Sequence, residues 1–126
     1  MRSLLVDTNV VVWLLLGDRP RVTEVARLAL EDERNRVVVS AASVWEIAVK
    51  RSLGKLTIED AWSRALARVG FDALPVTSIH AEAVEHLPWH HRDPFDRLLV
   101  AQAKTEGLEL VSADARLAAY GVGLVW

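Results

Sequence analysis

The sequence contains no cysteine, which excludes disulfide scaffolds, thiolate metal sites and cysteine nucleophiles. A glycine-rich phosphate loop is also missing, which argues against a nucleotide-binding module. Long hydrophobic runs are absent: the uncharged stretch over residues 8–17 is about half of what a bilayer-spanning helix needs. Asp7 interrupts the first apolar residues and no small-residue cleavage site follows, so no secretory signal is predicted. We therefore expect a soluble, cytoplasmic protein that does not bind membranes.

The sequence also lacks an excess of charge of either sign. Its 17 acidic and 15 basic side chains give a net charge of −2, so no overall attraction to nucleic acid is expected. Hydrophobic residues make up 52% of the 126 residues, and a chain of this length can bury a core without disulfide or metal staples. We expect one domain spanning residues 1–126.

Short apolar runs alternate with amphipathic segments along the chain. The apolar runs predict strands over residues 3–6, 36–40, 71–76, 108–111 and 121–125. Helical spacing predicts helices over residues 8–16, 21–34, 43–53, 57–69, 79–86 and 94–106, with a further helical turn at 113–119. This alternation predicts an α/β domain, in which helices cover both faces of a mostly parallel central sheet.

Four acidic residues lie either directly after a predicted strand or near the start of a predicted helix. Asp7 and Asp114 each follow a predicted strand, whereas Glu46 and Asp96 lie near the starts of helices. Because the carboxyl ends of parallel strands share one edge of a sheet, all four can converge there. Oxygen ligands without histidine or thiolate are what Mg²⁺ or Mn²⁺ prefers.

Each of these acids also has a simpler explanation as a helix cap. Ser43 with Glu46 fits a capping box, Asp93 precedes a proline at a helix start, and Asp7 and Asp114 fit plain caps. The two explanations differ in energy. Two carboxylates about 4 Å apart repel by roughly 4 kcal/mol at an effective dielectric near 20, whereas a good cap stabilises by about 1 kcal/mol. Spacing alone does not decide between them, but convergence of the acids would favour a cation site.

Four stretches together resemble a known family. They are LVDTN at residues 5–9, SVWEIAVK at 43–50, HRDPFDRLLVAQA at 91–103 and LVSAD at 110–114. In this order, and over nearly the whole chain, they resemble the PIN domain, and within it the VapC-type toxins of prokaryotic toxin–antitoxin pairs. The resemblance implies a three-layer α/β/α fold and a Mg²⁺-dependent endoribonuclease, with Mn²⁺ as a second possible cofactor. It further implies an RNA substrate, a VapB-type antitoxin partner, a homodimer, and inhibition of translation and growth.

The resemblance assigns the acidic quartet of this family to Asp7, Glu46, Asp96 and Asp114. It implies that Asp7 and Asp96 are direct metal ligands. Glu46 is implied as a ligand or as the residue that positions the attacking water. Asp114 is implied as a second-site or outer-shell group.

Several neighbours of these acids have open alternatives. Ser112 is expected to orient a carboxylate or water, and Asn9 to contact metal-bound water or RNA. Arg97 is interpreted either as a phosphate ligand or as half of an ion pair on the helix surface. Lys50 is expected to pair with Glu46 one helical turn away, with a phosphate contact as the alternative.

The histidines and tryptophans give weaker indications. Residues 86–91 hold three histidines, which favour a solvated loop over a zinc site because a proline disrupts their spacing. Trp45 is expected to pack beneath Glu46. Trp13 and Trp62 are interpreted as core or interface anchors, and Trp89 and Trp126 as exposed rings for base stacking or partner contact.

The predicted helices at 8–16 and 21–34 are candidates for the antitoxin groove. A response-receiver domain is disfavoured because no lysine follows Lys104. Two alternatives remain: a PIN nuclease in RNA processing or decay outside a toxin system, or a catalytically inactive PIN-like interaction domain.

Overall fold

A five-stranded sheet with the strand order β3-β2-β1-β4-β5 forms the centre of the protein. The computed structural model describes all residues, Met1–Trp126. The strands are β1 (Ser3–Val6), β2 (Arg36–Ser40), β3 (Asp72–Leu74), β4 (Glu109–Val111) and β5 (Leu124–Val125). All four neighbouring pairs are parallel. The predicted α/β fold with a parallel sheet is therefore confirmed.

Six α-helices and three short 3₁₀ segments connect the strands. The helices are α1 (Thr8–Leu16), α2 (Glu24–Glu31), α3 (Ala41–Ser52), α4 (Trp62–Arg68), α5 (Ser78–Ala83) and α6 (Pro94–Glu106). The 3₁₀ segments are Arg19–Arg21, Val84–His86 and Ala115–Tyr120. None of these helices combines the length and the apolar character that crossing a membrane requires.

Alternating side chains of the strands build two cores. Leu4 and Val6 of β1 point to one face, where they pack with buried residues of α1, α2 and α4. Leu5 points to the opposite face and packs with α6 and the last 3₁₀ segment. Helix α3 contributes to both cores through Ile47 and Ala42. These contacts produce the three layers of the predicted α/β/α arrangement.

Helix α2 begins later than the sequence predicts, and helix α3 begins earlier. Helix α2 starts only after Thr23, whose hydroxyl accepts the Ala26 N–H. Helix α3 begins at Ala41 with Ser40 as its cap, so the capping box predicted for Ser43 is wrong. Ser43 is instead buried, and its hydroxyl accepts a hydrogen bond from the Thr8 hydroxyl at 2.9 Å.

The predicted helix at 57–69 is shortened to Trp62–Arg68. The sequence suggests Thr57 and Asp60 as a capping pair for this helix. In the structure Asp60 instead pairs with the Arg51 guanidinium at 2.7 Å, and Arg51 also donates to the Ile58 carbonyl. These contacts hold residues 57–60 in an irregular path along α3. Asp60 therefore forms an ion pair with Arg51 and does not take part in capping α4.

The strand order places a switch point between β1 and β4. The chain runs from β1 to β2 and β3 on one side and then returns to β4 on the other. The two strands stay paired at their carboxyl ends, because the Asp7 N–H donates to the Val111 carbonyl at 3.0 Å. Ligands of parallel α/β sheets bind in the crevice at such a point.

Candidate active site

The structure brings all four predicted acids to the carboxyl edge of the sheet. Asp7 follows β1 and caps α1, where its Oδ1 accepts the Val10 N–H at 2.9 Å. Asp114 follows β4 and caps the last 3₁₀ segment. Glu46 lies in the second turn of α3, and Asp96 lies in the first turn of α6. Each acid is therefore delivered by a different connection of the fold.

Asp7 is buried against the other acids of this edge. Burial raises the pKa of Asp7 above its usual value, and hydrogen bonds from Ser112 and Val10 act in the opposite direction. The negative charges of Glu46 and Asp114 raise the pKa further. Asp7 thus caps a helix and also lies within electrostatic reach of two other carboxylates, which capping alone does not require.

Asp96 is also partly buried and close to other carboxylates. Burial, followed by the charges of Asp93 and Asp7, raises the pKa of Asp96 to about 6, with His91 acting against the shift and Glu46 adding to it. Asp96 does not cap α6. That role belongs to Asp93, as predicted, because its Oδ1 accepts the N–H groups at the start of the helix at 2.8 and 3.1 Å.

Glu46 has one satisfied oxygen and one unsatisfied oxygen. Its side chain is 8% exposed, and its Oε2 lies 2.8 Å from Nζ of Lys50, which confirms the predicted pair. The Oε1 atom is buried and has no hydrogen-bond partner. A buried acceptor without a partner is destabilising by about 1–3 kcal/mol. A bound cation would satisfy this oxygen, so the residues present fit a divalent metal.

Asp114 differs from the other acids because its oxygens are already occupied. Its Oδ1 accepts from N and Nε of Arg116, and its Oδ2 accepts from Nη2 of Arg116 and from Nε2 of His91. The Arg116 hydrogen bonds lower the pKa of Asp114 to about 2. A carboxylate with four donors has no free acceptor position. This arrangement fits an outer-shell role better than direct ligation.

His91 is buried beside these acids, so the expectation of a solvated position is wrong for this histidine. Its backbone N–H donates to the Tyr120 hydroxyl at 2.9 Å, which draws the loop inward. Its Nδ1 accepts the Asp93 N–H at 3.1 Å. The neutral ring therefore carries its proton on Nε2, which lies 3.0 Å from Oδ2 of Asp114 and 3.5 Å from Oδ2 of Asp96.

This tautomer decides what the cluster of His91, Asp96 and Asp114 can do. One potential ligand atom from each residue lies within 4.8 Å of the others. A protonated Nε2 has no lone pair for a metal, so in this tautomer His91 holds Asp114 by a hydrogen bond and lies 3.5 Å from Asp96 without acting as a ligand. No pattern in the sequence indicates this contact, because it depends on how the loop folds against Tyr120.

Arg97 is only 3% exposed, and the expectation of a surface ion pair is wrong. Its guanidinium donates to one side chain, the Tyr120 hydroxyl, and to backbone carbonyls of the preceding loop: Val84, Leu87, Pro88 and His91. These bonds use the N–H groups that a phosphate would need. Arg97 therefore fixes the loop over residues 84–91.

Ser112 and Asn9 have different surroundings. The buried Ser112 hydroxyl accepts the Asp114 N–H at 3.1 Å and is hydrogen-bonded to the Asp7 carboxylate. This position suits the carboxylate-orienting role implied for it. Asn9 is exposed in the first turn of α1, and its side chain has no hydrogen bond to the acids.

The tryptophans are distributed differently from the expectation in two cases. Trp62 is buried as predicted. Trp126 is not the exposed ring that was expected: it is partly buried and packs against Trp13 with ring centroids 5.9 Å apart. Trp45 does not pack beneath Glu46. It is 60% exposed and packs against Phe95 with centroids 5.0 Å apart, since it lies on the outer side of α3.

Comparisons with known proteins agree with this fold. Residues 4–123 match the sequence pattern of the PIN domain. The fold is similar to that of VapBC2 from Rickettsia felis bound to a DNA fragment from its promoter, with a TM-score of 0.70, 12% identity and coverage of 97% of this chain and 96% of that chain. VapBC-1 from nontypeable Haemophilus influenzae gives a TM-score of 0.70 at 13% identity, covering 97% and 96% of the two chains.

A third similar structure is FitAcB from Neisseria gonorrhoeae, with a TM-score of 0.61, 23% identity and coverage of 96% of this chain and 95% of that chain. At these identities the likeness shows a shared fold. No curated protein sequence matches the chain.

Proposed function

The chain belongs to the PIN domain family, and from this premise we propose that it is a divalent-metal-dependent endoribonuclease that hydrolyses RNA phosphodiester bonds. Members of this family are nucleases, which supports a hydrolase. The observation that carries the proposal is the convergence of buried, mutually repelling carboxylates at the switch point of the sheet.

We assign the binding of Mg²⁺, or of Mn²⁺, to Asp7, Glu46 and Asp96. Oxygen donors suit these hard cations, and the unpartnered Oε1 of Glu46 supplies an acceptor that nothing else in the chain satisfies. When bound, such a cation polarises a phosphoryl oxygen and makes a water molecule more acidic.

The other residues of the site hold these carboxylates in place. Ser112 and the start of α1 orient Asp7, and Lys50 fixes one oxygen of Glu46 so that the other stays free. Because Lys50 occupies the other oxygen, the free Oε1 serves either as the metal ligand assigned above or, as the alternative, to position the attacking water. Asp114, held by Arg116 and His91, is assigned an outer-shell role.

We further propose that the protein is the toxin of a toxin–antitoxin pair, that it inhibits translation and growth, and that it forms a homodimer. The similar structures named VapBC and FitAcB support a VapB-type antitoxin partner. Helices α1 and α2 also leave apolar side chains exposed, as a docking surface requires: Leu14, Leu16, Val25 and Leu28. We expect the antitoxin peptide to cover these two helices.

Cleavage of a defined RNA panel by the partner-free protein tests the proposal. We expect cuts at discrete sites with Mg²⁺ or Mn²⁺, none with chelator, and a loss of about two to three orders of magnitude in the Asp96→Asn variant. Equal cutting by both proteins would indicate a contaminating nuclease. No cutting by either protein, together with no stabilisation by metal, would contradict the proposal and favour an inactive interaction domain.

A further inference from the structure

Two strongly exposed tryptophans stand on the segments that deliver the acids. Trp45 precedes Glu46 on α3 and is 60% exposed, and Trp89 lies two residues before His91 and is 76% exposed. Core packing explains neither ring, in contrast to the buried Trp62. We propose that Trp45 and Trp89 stack on unpaired bases on either side of the scissile phosphate. The inference rests on the proposed nuclease function.

The Trp45 ring of α3 lies close to the acids because it packs against Phe95 of α6. Trp45 and Phe95 meet with centroids 5.0 Å apart and planes tilted by 59°. Each of these residues directly precedes an acid, Glu46 in one helix and Asp96 in the other, and successive Cα atoms are about 3.8 Å apart. The aromatic pair therefore lies beside the acidic pair.

The second ring is held rigidly on the other side. The guanidinium carbon of Arg97 lies 3.8 Å from the centroid of the Trp89 ring. Arg97 is itself immobilised by the loop carbonyls, so it forms a fixed support beneath the indole. A supported ring keeps its remaining face available and loses little conformational freedom when a base stacks on it.

Helix geometry places the two rings on opposite sides of Asp96. Consecutive residues of an α-helix point roughly 100° apart, so Phe95 and Arg97 project to the two sides of Asp96. Phe95 carries the contact with Trp45, and Arg97 carries Trp89. A nucleotide chain that crosses the acids thus has an exposed ring on each side.

The charge balance favours stacking as the source of affinity. The net charge is −2, and the acids repel phosphate until a cation is present. Stacking on an aromatic ring requires an exposed base face, which an A-form duplex does not offer and a single strand does. The same chemistry predicts tolerance of base identity at the two stacked positions.

The test is RNA binding in chelator at low salt, where no cleavage interferes, read by fluorescence anisotropy of a labelled single-stranded oligonucleotide. We expect Trp45→Ala and Trp89→Ala each to weaken binding about tenfold or more, and the corresponding Phe variants to restore much of it. The slope of affinity against salt should not change, because no phosphate contact is removed. Leu53→Ala is the matched control, since Leu53 is equally exposed (61%) but lies beyond the end of α3.

Two further ligands sharpen the test. An oligonucleotide with abasic nucleotides should bind weakly to all variants alike, and a duplex of the same sequence should bind less than the single strand. Equal binding of the single strand by wild type and both Ala variants would overturn the inference, as would equal affinity for the duplex. Ala variants that keep RNA binding but lose the antitoxin would assign the rings to a protein partner and also overturn it.

The two proposals fail in distinguishable ways. If the wild-type protein neither binds nor cuts RNA, the proposed nuclease function is wrong. If it cuts RNA in a metal-dependent way and the Ala variants bind and cut as the wild type does, only the stacking inference is wrong. Thermal melting separates these outcomes from misfolding. Each variant is expected to melt within a few degrees of the wild type, because Trp45 and Trp89 are exposed and each loses one surface contact, to Phe95 and to Arg97.

Discussion

The two edges of the sheet treat charge in opposite ways. At the amino edge, acids face arginines at or just before neighbouring strands: Arg2 lies 2.6 Å from Glu109, and Arg36 lies 3.2 Å from Asp72. At the carboxyl edge, Asp7 and Asp96 face other acids, and burial together with the neighbouring negative charges raises the pKa of Asp96 to about 6. The fold therefore pairs its acids with arginines at the amino edge. At the carboxyl edge Lys50 and Arg116 pair with Glu46 and Asp114, but Asp7 and Asp96 have no lysine or arginine partner, as the proposed cation site requires.

Asp96→Asn should break this contrast with the largest effect. In metal-free buffer near pH 7 we expect the variant to melt at a higher temperature than the wild type, because a repelling buried charge is removed. In the wild type, Mg²⁺ at a hundredfold excess over Kd should stabilise the fold by about 2.7 kcal/mol, and the variant should lose this gain. Thermal melting with and without Mg²⁺ measures both.

The pH dependence of the same measurement has a defined sign. The folded pKa of Asp96, about 6, lies above its usual value of 3.8. The native state thus binds the extra proton, and this contribution to stability is present below pH 3.8 and is lost as the pH rises through 6. The stability difference between Asp96→Asn and the wild type should grow over that interval. Thr23→Ala is the control: it removes the side chain that caps α2 and does not act on Asp96, and its loss of about 1 kcal/mol should not depend on metal.

Much of this contrast was predictable because its causes are local in sequence. Apolar runs and helical spacing predict the strands and most helices, and the positions of Asp7 and Asp114 after strands predict their meeting at one edge. The glycines that end α1 and α6, Gly17 and Gly107, have positive φ angles of 68° and 66°, as helix stops require.

The remaining features depend on contacts between distant segments. His91 enters the site only because its backbone binds Tyr120, which is 29 residues away. Arg97 is buried because the loop before it offers carbonyls that no spacing rule indicates. Helix α4 begins later than predicted, and Asp60 before it forms an ion pair with Arg51. Local patterns assign residues to elements, whereas such contacts decide which side chains those elements bring together.

Substitution of His91 tests whether its hydrogen bond to Asp114 supports metal binding. Gln places an amide N–H near the position of the imidazole Nε2 and keeps the bond to Asp114, whereas Asn reaches only the position of Nδ1. We expect His91→Asn to lower Mg²⁺ affinity about 10–100-fold and His91→Gln to retain most of it, with affinity read from Mg²⁺ titration of the melting temperature. A histidine that only braces the loop would give the reverse order, because Asn can preserve the Nδ1 contact with Asp93.

The smallest effect on stability is expected at the amino edge, where the double variant Arg36→Gln, Asp72→Asn removes an ion pair. Both side chains are largely exposed, 48% and 61%, and exposed pairs contribute about 0–1 kcal/mol. The double variant should therefore melt within a few degrees of the wild type, with Mg²⁺ stabilisation and RNA cleavage unchanged. A change in either would mean that the two edges are coupled through the sheet, and that charge opposition at the carboxyl edge depends on charge pairing at the other.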